Sequence, residues 1–400
     1  MISPARRAAY ETVLRVFEQD AYADRALRTA AADLDRRDRA LAQRLAYGTT
    51  QRVRTLDFAI ESLGRRPVRK LDPPVRAALR LGAYELGYME TPQHAAVNEG
   101  VELVRSARLE RAVAFTNAVL RRLTEGLEPL LASLPEGALK QSYPDWVEEV
   151  WTRDFGRDEA IALMQAQNEP LETVVRLVRG EIDGEPTDVP GAYRVERVDE
   201  GALAEGRIWP QSRGSQLAGL VVGAREGERV LDLCAAPGGK ATMLAGEVVA
   251  VEIHPGRARE LEENIHRLGA ANVAVVQADA LALPSELRDF DRVLVDAPCS
   301  GLGVLAQRPD LRWRARPLPD LQRDLLRVAA ERTRPGGTIV YSVCTLNADE
   351  NEAIVDGSGL EAESIGEKWP QFAHPKRPEF LLTRPDRHGT SGFFIARLRR

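Results

Sequence analysis

Apolar residues recur three or four positions apart through the first third of this 400-residue chain, which is the spacing of an amphipathic helix. Helical segments are predicted at 13–17, 41–46, 56–63, 75–86, 95–104 and 115–122, and no strand-like alternation interrupts them. Breaks are expected at Gly48, Gly64, Pro67 and the pair Pro73-Pro74. The pattern predicts a bundle of short helices, and we assign residues 1–128 to an all-α domain.

The pattern changes after this bundle. Residues 129–145 contain Pro129, Pro135, Gly137 and Pro144, a composition that predicts a linker. One or two helices are expected over 146–164, and the runs 173–178 and 193–198 are typical of strands. We therefore expect a small α+β subdomain over 146–222.

Short β-branched runs then alternate with helical or loop stretches to the end of the chain. The predicted strands are 229–233, 248–251, 273–276, 291–295 and 338–342. Apolar runs of this kind are typical of a parallel sheet covered on both faces. Residues 223–400 are therefore predicted to form an α/β domain.

Three chemically distinctive segments follow strands of this predicted sheet. The first is a turn, Cys234-Ala235-Ala236-Pro237-Gly238-Gly239-Lys240; the others carry Asp296 with Cys299, and Cys344. The carboxyl ends of parallel strands meet at one edge of a sheet, so these segments are expected to converge. Glycines in the first turn let a ligand approach the backbone, and a helix start after the turn offers free N–H groups. The sequence predicts an enzyme that attacks with a thiol.

Two carboxylates extend this site. Glu252 ends the second predicted strand, where a carboxylate can hold a ribose diol, and Asp279 follows the third, where it can accept from an adenine amino group. Nicotinamide and S-adenosylmethionine enzymes both use this spacing. The turn lacks the GxGxxG pattern, however, and hydride transfer needs no cysteine.

Composition limits the classes of function. The formal net charge is −5, yet residues 1–128 carry 22 Lys and Arg against 17 Asp and Glu, an excess compatible with binding nucleic acid and equally with a solvated helical surface. Three cysteines without a CxxC pair and five scattered histidines predict neither disulfides nor a metal site. No apolar run approaches membrane length and no signal segment is found, so we expect a cytoplasmic protein.

The motifs together resemble a known family. The segments 231–240, 296–301 and 342–345 are similar to the signature motifs of the RNA cytosine-5 methyltransferases of the NOL1/NOP2/Sun group, and the likeness continues through 308–313 and 392–398. Segments 79–82, 97–103 and 117–121 resemble the NusB-like domain fused to the bacterial Sun/Fmu/RsmB branch. Three positions depart from the family pattern, namely Ser212, Val343 and Ser391.

The resemblance implies a fold, a cofactor and a substrate. The fold is an all-α NusB-like domain, a small α+β subdomain and a Rossmann-like methyltransferase domain. The cofactor is S-adenosyl-L-methionine, held by residues 234–240, Glu252, Asp279 and Asp296, with Cys234 contributing backbone from a buried position. The expected substrate is 16S ribosomal RNA, methylated at cytosine C5. The oligomeric state is left open, with a monomer as the expectation.

The resemblance also assigns the two thiols. Cytosine C5 takes a methyl group only after a nucleophile adds at C6, and a thiolate that can later leave suits this reversible step. Cys344 is the expected nucleophile, Asp296 holds or protonates N3, and Cys299 assists loss of the C5 proton and release. Two alternatives stay open: a cytosine-5 methyltransferase acting on transfer RNA, and a non-catalytic RNA-binding module.

Overall fold

The computed structural model describes residues 2–400, and its contacts divide the chain into two compact units. The first, here called the helical unit, comprises residues 2–168 together with Leu305–Arg314. The second, the α/β unit, comprises Glu169–Val304 and Ala315–Arg400. Across residues 2–400, no helix combines the length and apolar character needed to cross a membrane.

Sixteen α-helices are distributed over the two units. Their bounds are α1 Pro4–Glu18, α2 Ala23–Ala30, α3 Arg36–Gly64, α4 Pro73–Tyr88, α5 Gln93–Ser106, α6 Glu110–Ser133, α7 Ala138–Gln141, α8 Asp145–Phe155, α9 Arg157–Ala166, α10 Glu200–Ala204, α11 Arg213–Val222, α12 Pro255–Leu268, α13 Leu311–Arg314, α14 Pro319–Arg332, α15 Glu352–Asp356 and α16 Pro385–His388.

The strands all lie in the α/β unit. Their bounds are β1 Val174–Leu177, β2 Glu185–Pro186, β3 Ala192–Arg194, β4 Ile208–Pro210, β5 Arg229–Asp232, β6 Glu247–Glu252, β7 Val273–Gln277, β8 Phe290–Asp296, β9 Thr333–Val343, β10 Glu361–Glu363, β11 Leu381–Thr383 and β12 Phe393–Arg399.

The helical unit confirms the predicted bundle but not the predicted break at Gly48. Helix α3 runs unbroken through this residue from Arg36 to Gly64. A Cβ atom at position 48 would lie 2.0 Å from the Tyr84 ring of α4, so the glycine is needed for close packing of the two helices. Glycine here serves a tertiary contact, which a local pattern does not reveal.

Residues beyond 128 also belong to the helical unit. Helix α6 continues through Pro129, and the segment expected to be a linker contains α7. The Thr55 hydroxyl donates to the Leu139 carbonyl at 2.6 Å, and the Ser142 hydroxyl accepts from the Arg54 amide at 3.1 Å. Such bonds fix residues 138–142 to α3.

The segment 305–314 is anchored in the helical unit by Arg312. Its guanidinium is buried and donates to Asn168 Oδ1 at 2.7 Å and to the carbonyls of Gln167 and Ser142 at 2.8 and 3.3 Å. It also lies 3.9 Å from the centroid of the Tyr143 ring. Arg312 is therefore held by neutral acceptors and an aromatic face.

The α/β unit contains the predicted parallel sheet. The strand order is β10-β12-β9-β8-β5-β6-β7, with β11 paired to β12. Strands β9, β8, β5, β6 and β7 are parallel and correspond to the five predicted runs. The antiparallel strand β12 extends the sheet beyond β9. A separate antiparallel sheet, ordered β2-β3-β1-β4, forms the small α+β portion.

The helix expected directly after the glycine turn is absent. Only a single 3-10 turn, Ala241–Met243, follows Lys240 before β6 begins at Glu247. The connection from β5 to β6 covers residues 233–246, and the glycine turn takes up its first half, which leaves too few residues after Lys240 for a full helix. The first full crossover helix is α12, after β6.

Candidate functional site

Three adjacent parallel strands bring the predicted segments together. In the order β9-β8-β5, these strands end next to Cys344, at Asp296 and at Asp232. Asp296 and Ser342 are register partners on β8 and β9. The convergence expected at the carboxyl edge of the sheet is found.

Cys299 and Cys344 form a sulfur pair at this edge. Their Sγ atoms lie 3.5 Å apart, and both residues are partly buried. The hydrogen bond with Cys344, together with burial, holds the pKa of Cys299 well above its usual range. The same bond lowers the pKa of Cys344, and the Lys240 ammonium acts in the same direction. Either sulfur can donate in this pair, and the directions of the two pKa shifts favour a Cys299 thiol donating to a Cys344 thiolate.

Lys240 and Asp296 form an ion pair beside the sulfurs. Lys240 Nζ lies 2.7 Å from Asp296 Oδ2, and the Ser342 hydroxyl donates to Asp296 Oδ1 at 2.7 Å. The ammonium also lies 5.1 Å from the centroid of the Phe393 ring. The lysine thereby fixes the Asp296 carboxylate and supplies a proton donor at the same place.

Asp232, the last residue of β5, is a buried carboxylate. Its Oδ1 accepts from the Cys234 amide at 3.3 Å, while Oδ2 is buried without a hydrogen-bond partner. Burial, assisted by the charge of Asp296, raises the pKa of Asp232 to about 7. A buried oxygen of this kind is suited to a hydrogen-bonding group of a ligand.

The glycine turn is fixed by bonds to its carbonyls. Arg257 donates to the Ala236 carbonyl and Asn264 to the Pro237 carbonyl, both at 2.8 Å, and Arg176 donates to the Gly239 carbonyl at 3.2 Å. Gly238 has φ +104°, a conformation that favours glycine. Side-chain donors thus hold three successive or neighbouring carbonyls of the loop in place.

Glu252 and Asp279 lie at the ends of β6 and β7, as predicted. Glu252 is buried, its Oε1 accepts from the His254 amide at 2.8 Å, and Arg257 lies 3.5 Å from Oε2. Asp279 is exposed and accepts from the Leu281 amide at 2.9 Å. Cys234 follows β5, and burial raises the pKa of its thiol, which fits a structural residue.

The three residues that depart from the family pattern lie at a helix cap, on a buried strand and at a backbone carbonyl that accepts a hydrogen bond. Ser212 accepts from the Ser215 amide at 3.4 Å and caps α11, a role aspartate also fills. Val343 is buried on β9 opposite Phe394. The carbonyl of Ser391 accepts from the Thr383 hydroxyl at 2.7 Å.

The sequence did not identify Glu350 as a residue of the site. Glu350 is fully buried, and its carboxylate accepts from the Ser300 amide at 2.9 Å and from Gln322 Nε2 at 3.0 Å. The only sequence signal is its place six residues after Cys344.

Across residues 2–400, no group of three or more His, Cys, Asp or Glu side chains could hold a metal ion. The groups at the sheet edge are a thiol pair, a carboxylate held by an ammonium, and a glycine turn held by side-chain hydrogen bonds. Such a set suits nucleophilic addition to a ring with proton transfer nearby.

Comparison with known proteins identifies both parts of the chain. Residues 220–399 match the family model described as 16S rRNA methyltransferase RsmB/F, and residues 3–125 match the NusB family. The chain is 34% identical to the probable ribosomal RNA small subunit methyltransferase B of Synechocystis, covering all of both chains. It is 37% identical to the ribosomal RNA small subunit methyltransferase B of Thermus thermophilus, over 94% of this chain and 92% of that protein.

Two solved structures are similar in fold. The crystal structure of PH0851 has a TM-score of 0.84 at 24% identity and covers 100% of this chain and 99% of its own. The structure of NSun6 from Pyrococcus horikoshii with SFG has a TM-score of 0.55 at 25% identity, over 65% of this chain and 98% of that one.

Proposed function

Since this chain belongs to the RsmB/F family of 16S rRNA methyltransferases, we propose that it transfers a methyl group from S-adenosyl-L-methionine to C5 of a cytosine in 16S ribosomal RNA. The observation that carries the proposal is the Cys299–Cys344 pair, with sulfurs 3.5 Å apart beside the Lys240–Asp296 ion pair. A cytosine-5 mechanism needs both a nucleophile for C6 and a group that removes the C5 proton.

The residues present fit the cofactor. The fixed glycine turn leaves backbone open to a ligand, and the partnerless Asp232 Oδ2 offers an acceptor beside it. In this proposal Glu252, which ends β6, holds the ribose, and Asp279, which follows β7, accepts from the adenine amino group. The NSun6 relative was solved with SFG, an analogue of S-adenosylmethionine. When bound, the cofactor supplies an electrophilic methyl group on a sulfonium.

The side chains act in sequence in the proposed mechanism. The Cys344 thiolate attacks C6 and a Sγ–C6 bond forms. The electrons of the C5–C6 double bond shift through C4 toward N3. Asp296, with a proton from Lys240, holds N3 as charge develops there. C5 then bonds to the methyl group as the bond between that group and the sulfonium breaks. Cys299, no longer bonded to a Cys344 thiolate, passes its proton to Lys240, which has given one up toward N3, and the resulting thiolate takes the C5 proton. The electron pair of the C5–H bond re-forms the C5–C6 double bond, the Sγ–C6 bond breaks, Cys344 leaves as thiolate, and the N3 proton is released.

The substrate assignment is supported by the amino-terminal half. Residues 3–125 match the NusB family and carry a basic excess, which supports a role in holding RNA. The names of the full-length relatives support the small-subunit ribosomal RNA as target. We propose that the protein acts as a cytoplasmic monomer.

Methylation of defined RNA by the purified full-length protein tests this function. The protein is incubated with S-adenosylmethionine and unmodified 16S ribosomal RNA, and bisulfite sequencing locates protected cytosines. Protection at one cytosine, absent with Cys344→Ser, is expected. Protection found only in transfer RNA would overturn the substrate, and methylation at any atom other than C5 would overturn the mechanism.

A further inference from the structure

A buried carboxylate connects the two cysteine segments. Glu350 is fully buried, and Oε1 accepts from three neutral donors: the Ser300 amide at 2.9 Å, Gln322 Nε2 at 3.0 Å and the Leu318 amide at 3.1 Å. Gln322 also donates to the Pro298 carbonyl at 2.9 Å. The segment around Cys299 is thus tied to the start of α14 through one oxygen.

The second oxygen reaches the other cysteine segment. Glu350 Oε2 accepts from the Ser300 hydroxyl, from Asn347 Nδ2 at 3.3 Å and from the Thr345 hydroxyl at 3.4 Å. The Ser300 and Thr345 hydroxyls are themselves 2.7 Å apart. Since Ser300 follows Cys299 and Thr345 follows Cys344, the carboxylate holds the residues next to both sulfurs.

The charge of Glu350 is not balanced by a cation, because every donor that reaches it is neutral. Neutral donors satisfy its lone pairs but leave a negative field in a low-dielectric interior. The carboxylate is bonded more closely to Ser300, next to Cys299, than to Thr345, next to Cys344. The hydrogen bond with Cys344 and burial are the main causes of the raised pKa of Cys299, and the Glu350 charge adds to them.

The charges that face Cys344 differ from those that face Cys299. Asp296 and Lys240 act on Cys344 with opposite signs, whereas Glu350 is the carboxylate that acts on Cys299. The two sulfurs are chemically identical and in contact. Only their different surroundings can therefore determine which of them keeps the proton.

We propose that Glu350 is a positioning residue that fixes the separation of the two sulfurs and keeps the proton on Cys299, so that Cys344 is the reactive thiolate. The catalytic consequence rests on the proposed function, in which Cys344 is the nucleophile. The distribution of the proton between the sulfurs does not depend on that function and is measured without RNA or cofactor.

Limited alkylation of the full-length protein tests the proposal. Wild type, Glu350→Gln and Asp349→Asn are treated with substoichiometric iodoacetamide between pH 6 and pH 9, and mass spectrometry gives the ratio of labelled Cys344 to labelled Cys299. Asp349 is the matched control, because it loses the same charge at the neighbouring, exposed position.

Wild type and Asp349→Asn are expected to label predominantly at Cys344. In Glu350→Gln the ratio is expected to fall about tenfold, the effect of one pKa unit of difference between the thiols. Glu350→Asp keeps the negative charge, so its ratio of labelled Cys344 to labelled Cys299 is expected to stay close to that of wild type. A role confined to packing predicts that Asp and Gln behave alike.

An unchanged ratio in a folded Glu350→Gln protein overturns the proposal. Near-UV circular dichroism establishes that the variant is folded. If it is not, the wild-type titration decides, because labelling of Cys299 at a lower pH than Cys344 is incompatible with a proton held on Cys299. Absence of methylated cytosine from wild type would refute the proposed function while leaving the alkylation result intact.

Discussion

Asp232 is a buried carboxylate whose titration contributes to the pH dependence of stability. Its folded pKa of about 7 lies well above the ordinary value of 3.8, because burial and the nearby Asp296 disfavour the ionised form. A raised pKa means that the folded protein binds a proton the unfolded chain releases. The contribution to stability is therefore fully present below about pH 4 and lost as the pH rises through about 7.

The magnitude follows from the same shift. With these two pKa values, the titration of Asp232 alone lowers the free energy of unfolding by about 3 kcal/mol between pH 5 and pH 8. Replacement by asparagine, Asp232→Asn, removes the titration and retains an acceptor for the Cys234 amide. The variant is therefore expected to lack this part of the pH dependence.

Urea unfolding of wild type and Asp232→Asn at several pH values measures the effect, and subtracting the two curves cancels the other titrating groups. The difference, wild type minus variant, is expected to fall by about 3 kcal/mol from pH 5 to pH 8. A difference that is flat, or that rises with pH, would show that Asp232 is ionised throughout and that the account of its burial is wrong.

Substitutions at other positions test the cofactor site and the helical unit, and a salt titration tests the RNA contact. Glu252→Ala and Asp279→Ala should each weaken S-adenosylmethionine binding roughly five- to a hundredfold in calorimetry, because each removes a proposed hydrogen bond of ~1–3 kcal/mol. Unchanged affinity in both variants refutes the assignment. Arg312→Ala should lower the free energy of unfolding by roughly 2–4 kcal/mol in urea, because buried acceptors lose their donor; an unaltered midpoint contradicts this. The logarithm of the RNA-binding constant should fall linearly with the logarithm of the salt concentration, and salt-independent binding would exclude a phosphate-binding role.

The sequence predicted the parts of the site that a parallel sheet brings together by rule. Cys299, Cys344 and the glycine turn follow strands, so their convergence needed only the strand pattern. The long-range contacts were beyond such reasoning. The packing of Gly48 against Tyr84 and the place of Arg312 in the helical unit depend on residues distant in the chain.

Asp232 and Glu350 show the same limit within the site. Both are single acidic residues near motifs, and nothing local distinguishes a buried carboxylate from an exposed one such as Asp279. Their roles depend on which donors reach them and which oxygen is left without one. That information exists only once β5, β8, β9 and α14 are assembled.

Trapping the covalent protein–RNA species tests the central claim most directly. The claim is that Cys344 attacks and Cys299 assists release, so Cys299→Ser with S-adenosylmethionine and 16S ribosomal RNA should accumulate an adduct that survives denaturing electrophoresis. Cys344→Ser should form none, because a hydroxyl without an activating base is too weak a nucleophile. An adduct in the Cys344 variant and none in the Cys299 variant would contradict the account and exchange the roles of the two thiols.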